Sequence, residues 1–179
     1  MGFLTSQQVN KYYDFFQKAE ITFTKEVIQA MSLNAQQSSI RCVGSEGGPW
    51  PCVINSSSMI GAKVIVPQHC GIYEKICEGS TAISLWFSFS QTNGKSDLSF
   101  FVSGKVVSCT PYTVTPDLLL LNIEYTQRAP DDLIEKLGLL VDAKANTTKR
   151  GDERIELNAE AVRKLSLSKK ETIVYIENI

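Results

Sequence analysis

Two periods of apolar and polar residues run along this chain, and the change between them separates helical ends from a β-rich middle. Near the start, apolar residues recur every three or four positions from Val9 to Phe16. This spacing predicts an amphipathic helix that Ser6 caps and that ends near Lys18. A second, short helix is predicted after Thr24, which can cap it. Both helices are expected to pack one apolar side against a core.

The middle of the chain follows a period of two. In residues 83–89 every second residue is apolar, and the residues between them are serines or Trp86. This alternation predicts a strand with one buried face. The dipeptide Asn93-Gly94 then predicts a hairpin turn into a strand over residues 98–108. Further extended runs are predicted over residues 39–43, 51–55, 59–66 and 118–125.

A last helix is predicted to begin at Pro130, because proline suits the first helical position and Asp131 and Asp132 suit the positive end of the helix dipole. It is expected to end near Ala145. The whole pattern gives helices at both ends of five or six short antiparallel strands, a mainly β fold with flanking helices (α+β). Short strands in this number are expected to close into a small barrel or a curled sheet.

The chain also contains an internal repeat. Residues 21–44 align without a gap with residues 155–178, with four identities and four further apolar positions in register. A repeat of this kind indicates two related units. We therefore predict one domain over residues 1–145, a polar linker over 146–154, and the start of a second, incomplete domain over 155–179.

Bulk composition is that of an ordinary globular protein and narrows the function classes. Of 179 residues, 43% are hydrophobic and 21% charged, and the net charge is -1. We therefore expect a cytoplasmic protein with no nucleic-acid partner and no membrane insertion. The five cysteines are irregularly spaced and predict reduced thiols without a metal site. His69, the only histidine, has no acidic neighbour in sequence to orient it, so no catalytic residue and no enzyme activity is expected.

The candidate ligand-binding residues are Lys149, Arg150 and Arg154. Two arginines four residues apart can pair with phosphate oxygens or a guanine edge through both guanidinium nitrogens. Spacing alone leaves a second interpretation open, because Asp152 and Glu153 lie between the arginines and could neutralise them.

Several stretches together resemble the PilZ family of cyclic di-GMP receptors, and in particular the two-domain PilZ proteins of spirochaetes. They are KYYDFF, WPCVINSS, SFFVSGKVV, IEYTQRAPDDLIEKLG and KRGDERI. The resemblance implies a six-stranded antiparallel barrel with an N-terminal and a C-terminal helix. It also implies a nucleotide site built from an R-x-x-x-R clasp and a D/N-x-S-x-x-G strand.

The resemblance assigns half of that site to each copy. In the first copy Ser58 and Gly61 fill S-x-x-G, but the acidic or amide position holds Ser56, and Asn55 is one place off. Phe16 and Glu20 stand where the clasp would be, so the first domain is a degenerate PilZ-like domain that does not hold the nucleotide.

In the second copy Arg150 and Arg154 are present, but the partner of Gly61 would fall beyond Ile179. The implied function is a non-enzymatic signalling adaptor with an unidentified protein partner. Cyclic di-GMP is its ligand only when the second domain is complete.

The alternative is a protein-interaction or self-association module without a nucleotide role. In this interpretation the tail from Arg154 to Ile179, which ends in ETIVYIENI, donates a strand to another copy and forms a homodimer. Trp50, between two prolines, and Trp86 are both expected to pack within the fold. If the first domain has an interaction surface, Trp50 is the first place to look.

Overall fold

The computed structural model describes residues 5–44, 46–79, 81–90, 97–113 and 117–152, with the backbone alone for 145–152. Met1–Leu140 forms one compact unit and Val141–Ile179 a second. The described part of the second unit is a continuation of the last helix. None of the helices described is long and apolar enough to cross a membrane.

The residues that the structure describes include four α-helices. They are α1 (Ser6–Phe16), α2 (Lys25–Met31), α3 (Ile72–Cys77) and α4 (Asp131–Asp152). Helix α1 is capped one residue earlier than predicted, because the backbone N–H of Gln8 donates to Thr5 Oγ1 while the Gln8 side chain accepts from the Thr5 N–H. The predicted cap of α2 is confirmed, since the N–H of Val27 donates to Thr24 Oγ1. The six-residue helix α3 was not predicted.

In the described part of the chain, eight strands form one antiparallel sheet. They are β1 (Ile21–Thr22), β2 (Ser39–Cys42), β3 (Trp50–Pro51), β4 (Val53–Ser57), β5 (Gly61–Pro67), β6 (Ala82–Phe89), β7 (Leu98–Pro111) and β8 (Leu118–Tyr125). Their order in the sheet is β1-β4-β5-β8-β7-β6-β2-β3. The mainly β fold with flanking helices is therefore confirmed.

The predicted six-stranded closed barrel is wrong. The sheet ends at the two-residue strands β1 and β3, and no ladder joins these ends among the residues described. Cys52 separates β3, which pairs with β2, from β4, which pairs with β5. The N–H of Cys52 donates to the carbonyl of Ser38 (3.2 Å), which holds the bend. The sheet is thus curled and open.

The core lies on the inner face of this sheet and under the helices. The alternation in β6 is confirmed, because Ile83, Leu85, Phe87 and Phe89 are all buried. Helix α4 adds Leu133, Ile134 and Leu137 to the same core. This core fixes the positions of the strand ends at which the candidate site is built.

Helix α1 packs against α4 at a glycine. A Cβ atom built on Gly138 would lie 2.4 Å from Cδ2 of Tyr12, so only glycine allows this approach. Helix α4 also runs further than the predicted end near Ala145, as far as Asp152. No proline or glycine occurs between Leu139 and Arg150 to stop it. The domain and linker boundaries drawn from the sequence remain predictions.

Candidate functional site

The candidate site lies at the turn between β4 and β5. There the N–H of Ser58 donates to the carbonyl of Gly61 (2.8 Å), and the N–H of Ile60 donates to Ser58 Oγ (3.3 Å). The Ser58 hydroxyl is therefore engaged within its own turn. Its place in the S-x-x-G pattern serves the backbone geometry of the turn.

Gly61 opens β5 and faces β8. A Cβ atom at this position would lie 2.6 Å from the backbone oxygen of Ile123, too close for any side chain. Gly61 is paired in register with Glu124 of β8. The glycine is thus required for the close approach of two strands.

A buried hydroxyl pair supports the turn from inside. Ser57 Oγ lies 2.9 Å from the Tyr125 hydroxyl and donates to the carbonyl of Ser58 (2.9 Å). Burial raises the pKa of Tyr125 well above its ordinary value. Sequence reasoning missed this pair, because the two residues are 68 positions apart and share no motif.

Asn55 sits in an irregularity of the β4–β5 ladder. Ile54 pairs with Val64 and Ser56 with Lys63, so Asn55 is the extra, bulged residue. Its carbonyl accepts a hydrogen bond from the N–H of Phe23 (2.8 Å). The bulge therefore displaces Asn55 from the regular pairing of β4 with β5.

Glu20 is the centre of the polar contacts at this site. Ser56 Oγ donates to Glu20 Oε1 (2.5 Å), and Lys63 Nζ lies 2.8 Å from Oε1 and donates to Oε2 at 3.0 Å. The hydrogen bond from Lys63, followed by that from Ser56, holds the pKa of Glu20 below its ordinary value. The carboxylate is therefore charged at neutral pH.

A small cleft of about 170 Å³ opens beside this ion pair. Its lining includes Lys18, Glu20, Ser58, Gly61, Lys63 and Asn122. Ligand pockets usually have volumes of about 300–1,000 Å³, so this cleft is small for a nucleotide. The Glu20 carboxylate repels a phosphate and is paired with Lys63, so Lys18 is the other cation that this lining offers.

The segment between α1 and β1 lies at this end of the sheet, as the resemblance implies. The N–H of Met59 donates to the carbonyl of Gln17 (3.2 Å), which ties this segment to the β4–β5 turn. Phe16, in contrast, packs against the hydrophobic core, with its ring centroid 6.2 Å from that of Tyr12. The structure thus brings Glu20 together with Ser56, Ser58 and Gly61, whereas the Phe16 side chain belongs to the packing around the core.

The other predicted site residues lie in the second unit. The backbone of Arg150 belongs to α4. The side chains of this helix are described only up to Lys144, so that of Arg150 lies outside the described residues. The side chain of Lys149, all of Arg154 and the tail over residues 155–179 lie outside the described residues.

The cysteines and the single histidine do not form a site. Cys42 and Cys52 are buried, and burial raises the pKa of Cys52 to about 12. Across the described ranges, no three histidine, cysteine or acidic residues are grouped to hold a metal ion.

Comparison with known proteins agrees with this architecture. The PilZN3 domain family matches residues 7–144, and the chain belongs to this family, which confirms the resemblance to PilZ proteins. The chain is 44% identical over 180 residues to the "Cyclic di-GMP binding protein" of Treponema denticola, an alignment that covers 100% of this chain and 56% of that protein. It thus spans little more than half the length of this relative.

The fold resembles that of a solved structure. The Borreliella burgdorferi PlzA protein, crystallised in complex with c-di-GMP, superposes with a TM-score of 0.61 at 24% sequence identity. The superposition covers 90% of this chain and 65% of PlzA.

Proposed function

We propose that this chain is a non-enzymatic signalling module of a cyclic di-GMP receptor, and that its own PilZ-like site holds no nucleotide. The observation that carries the second part is the contact of Glu20 with Lys63 and Ser56. A carboxylate of the protein occupies the position at which the family's clasp would present a guanidinium to a phosphate. The domain therefore neutralises Lys63 with its own carboxylate, and Lys18 is the one cation of the described cleft lining that is left for a phosphate.

The nucleotide-binding half of the proposal concerns Lys149, Arg150 and Arg154. Two guanidiniums in this spacing can each form paired hydrogen bonds with phosphate or guanine, and Lys149 adds a third positive charge. The opposing half of the site would come from a completed second copy in a chain that continues past Ile179. The name and greater length of the Treponema denticola relative support this arrangement.

The role of the first domain follows from this division. Nucleotide bound by the arginines would bias the first domain between two arrangements. The first domain then acts as the reporter of the ligand, and the second copy as its receptor.

Titration calorimetry with cyclic di-GMP tests the arginine assignment. We expect a chain extended past Ile179 through the complete second copy to bind the nucleotide. Arg150→Ala with Arg154→Ala is expected to weaken that binding at least about a hundredfold, because each charged hydrogen bond contributes about 1.5–3 kcal/mol. Lys11→Ala with Lys25→Ala is the matched control, since it removes two exposed cations from α1 and α2. Equal affinity in all three proteins would refute the assignment.

A further inference from the structure

Trp86 and Phe101 lie next to each other on the outer face of the sheet. Trp86 of β6 is 37% exposed and Phe101 of β7 is 49% exposed, and their ring centroids are 5.1 Å apart. Singly exposed apolar side chains are normal on protein surfaces, whereas these two rings form one contiguous apolar patch. Trp50, in contrast, is partly buried and packs over Gly48 and the core. The interaction surface suggested by sequence for Trp50 is therefore better sought at Trp86.

Strand register defines the surroundings of this pair. Ser39 of β2 lies opposite both Pro51 of β3 and Trp86, and Trp86 lies opposite Phe101. The next row on the same face consists of Arg41, Ser84 and Ser103. We call these seven residues the aromatic face; its centre is aromatic and its border consists mainly of small hydroxyl side chains.

Arg41 is the only charged residue of the aromatic face. It is exposed, and it forms no hydrogen bond or ion pair with the part of the chain that the structure describes. Arg41 is the diagonal neighbour of Trp86, at a separation of about 7–8 Å. An unpaired guanidinium beside two exposed rings has the composition of a protein-interaction hot spot.

The size of the aromatic face limits what can occupy it. Aromatic side chains offer roughly 150–250 Å² each, so the exposed parts of Trp86 and Phe101 together amount to on the order of 200 Å². A stable dimer buries about 800 Å² per partner. A second copy would also bring Arg41 towards Arg41, since the face contains no carboxylate. A nucleic acid is disfavoured because the face has one cation and the chain a net charge of -1.

We propose that the aromatic face binds a short segment of another protein, one that places a carboxylate beside an aromatic or aliphatic side chain. The carboxylate would pair with Arg41, and the apolar side chain would pack on Trp86 and Phe101. This interaction is independent of the nucleotide proposal, because it uses none of the residues assigned to cyclic di-GMP. It is tested here without that ligand, so the two proposals can fail separately.

Selection of short random peptides displayed on phage tests the proposal. Peptides selected on the wild-type chain are expected to combine Asp or Glu with a neighbouring aromatic or aliphatic residue. We expect Trp86→Ser with Phe101→Ser to weaken their binding at least tenfold, and Arg41→Ser to weaken it about three- to tenfold. Phe15→Ser on α1 is the control, because Phe15 is 71% exposed and lies outside the aromatic face; it should leave affinity unchanged.

An NMR titration with the selected peptide adds a readout that does not depend on the variants' stability. The chain has two tryptophans and therefore two indole N–H signals. The signal of Trp86, identified by its loss in Trp86→Ser, should shift on binding, and that of Trp50 should not.

Three outcomes would overturn the proposal. They are a selection without enrichment, peptides that bind the double variant as well as the wild type, and an unmoved Trp86 signal. Binding of a fluorescein-labelled single-stranded RNA that is lost in the double variant would assign the face to nucleic acid instead. Sedimentation showing a dimer that Trp86→Ser dissociates would assign it to a second copy.

Discussion

The Glu20 carboxylate lies 2.8 Å from the ammonium of Lys63, at the position where the family resemblance puts an arginine of the nucleotide clasp. Ser56 adds a hydrogen bond to the same carboxylate. The resemblance puts a cation at this position, and the anion found there instead pairs with Lys63 of the same domain. This reversal of charge is the physical basis of the proposed division of labour between the two copies.

Glu20→Gln removes that charge and should cost little stability. Both partners of the ion pair are nearly half exposed, with 45% and 43% of their side chains accessible, so solvent screens the interaction. We expect a loss of about 1 kcal/mol or less in the free energy of unfolding, measured by urea denaturation. A loss above about 3 kcal/mol would show that the pair is a buried structural element.

The pH dependence of the same variant provides a second check. The pKa of Glu20 is lowered in the folded state relative to 4.5, so its contribution is present above pH 4.5 and is lost as pH falls through the folded value. The wild type should therefore lose more stability than Glu20→Gln on acidification below pH 4.5. Parallel curves for the two proteins would contradict the assigned contacts.

Gly61→Ala should destabilise the domain by about 2–3 kcal/mol. The added Cβ would meet the carbonyl oxygen of Ile123, a backbone atom that cannot rotate away. Ser58→Ala is the comparison, because it removes only the hydroxyl that accepts from Ile60 and should cost about 1 kcal/mol. Equal melting temperatures for Gly61→Ala and the wild type would contradict the close approach of β5 and β8.

Gly138→Ala should have two opposing effects on stability. Alanine favours a helix over glycine by about 1 kcal/mol, but the new methyl would lie within 3 Å of three Tyr12 atoms, including its Cβ. Because Cβ cannot move without α1, we expect the clash to prevail with a net loss of about 1–2 kcal/mol. Denaturation of Gly138→Ala in a Tyr12→Ala background should show a gain instead. A gain in the wild-type background would contradict the α1–α4 contact.

Tyr125→Phe tests the buried hydroxyl pair. It should cost about 1 kcal/mol, because Ser57 keeps its hydrogen bond to the carbonyl of Ser58 and is not left unsatisfied. A double-mutant cycle with Ser57→Ala should give a coupling energy of about 0.5–1.5 kcal/mol. Additive effects of the two substitutions would show that the hydroxyls do not interact.

The fold was predictable where local patterning and core burial agree. Strand β6 and the cap of α2 follow from the order of residues, because alternation and capping are local. The open sheet was not predictable in the same way. It depends on the break at Cys52, which only long-range pairing reveals.

The candidate site was also predictable only where the signal is local in sequence. That Glu20 replaces an arginine was evident from the repeat, but its partners Ser56 and Lys63 are 36 and 43 residues away. Their approach depends on the bulge at Asn55, which shifts the register of β4 by one residue. The alternation placed Trp86 on the polar side of its strand. How much of its side chain is exposed, however, depends on which other parts of the fold cover the outer face of the sheet.

The central claim is that the first domain's own site is filled by Glu20 and holds no nucleotide, and calorimetric titration of cyclic di-GMP into the 179-residue chain tests it most directly. The account predicts no binding at micromolar concentrations, for the wild type and for Arg150→Ala with Arg154→Ala alike. Micromolar or tighter binding to the wild type that Lys63→Ala abolishes would contradict it.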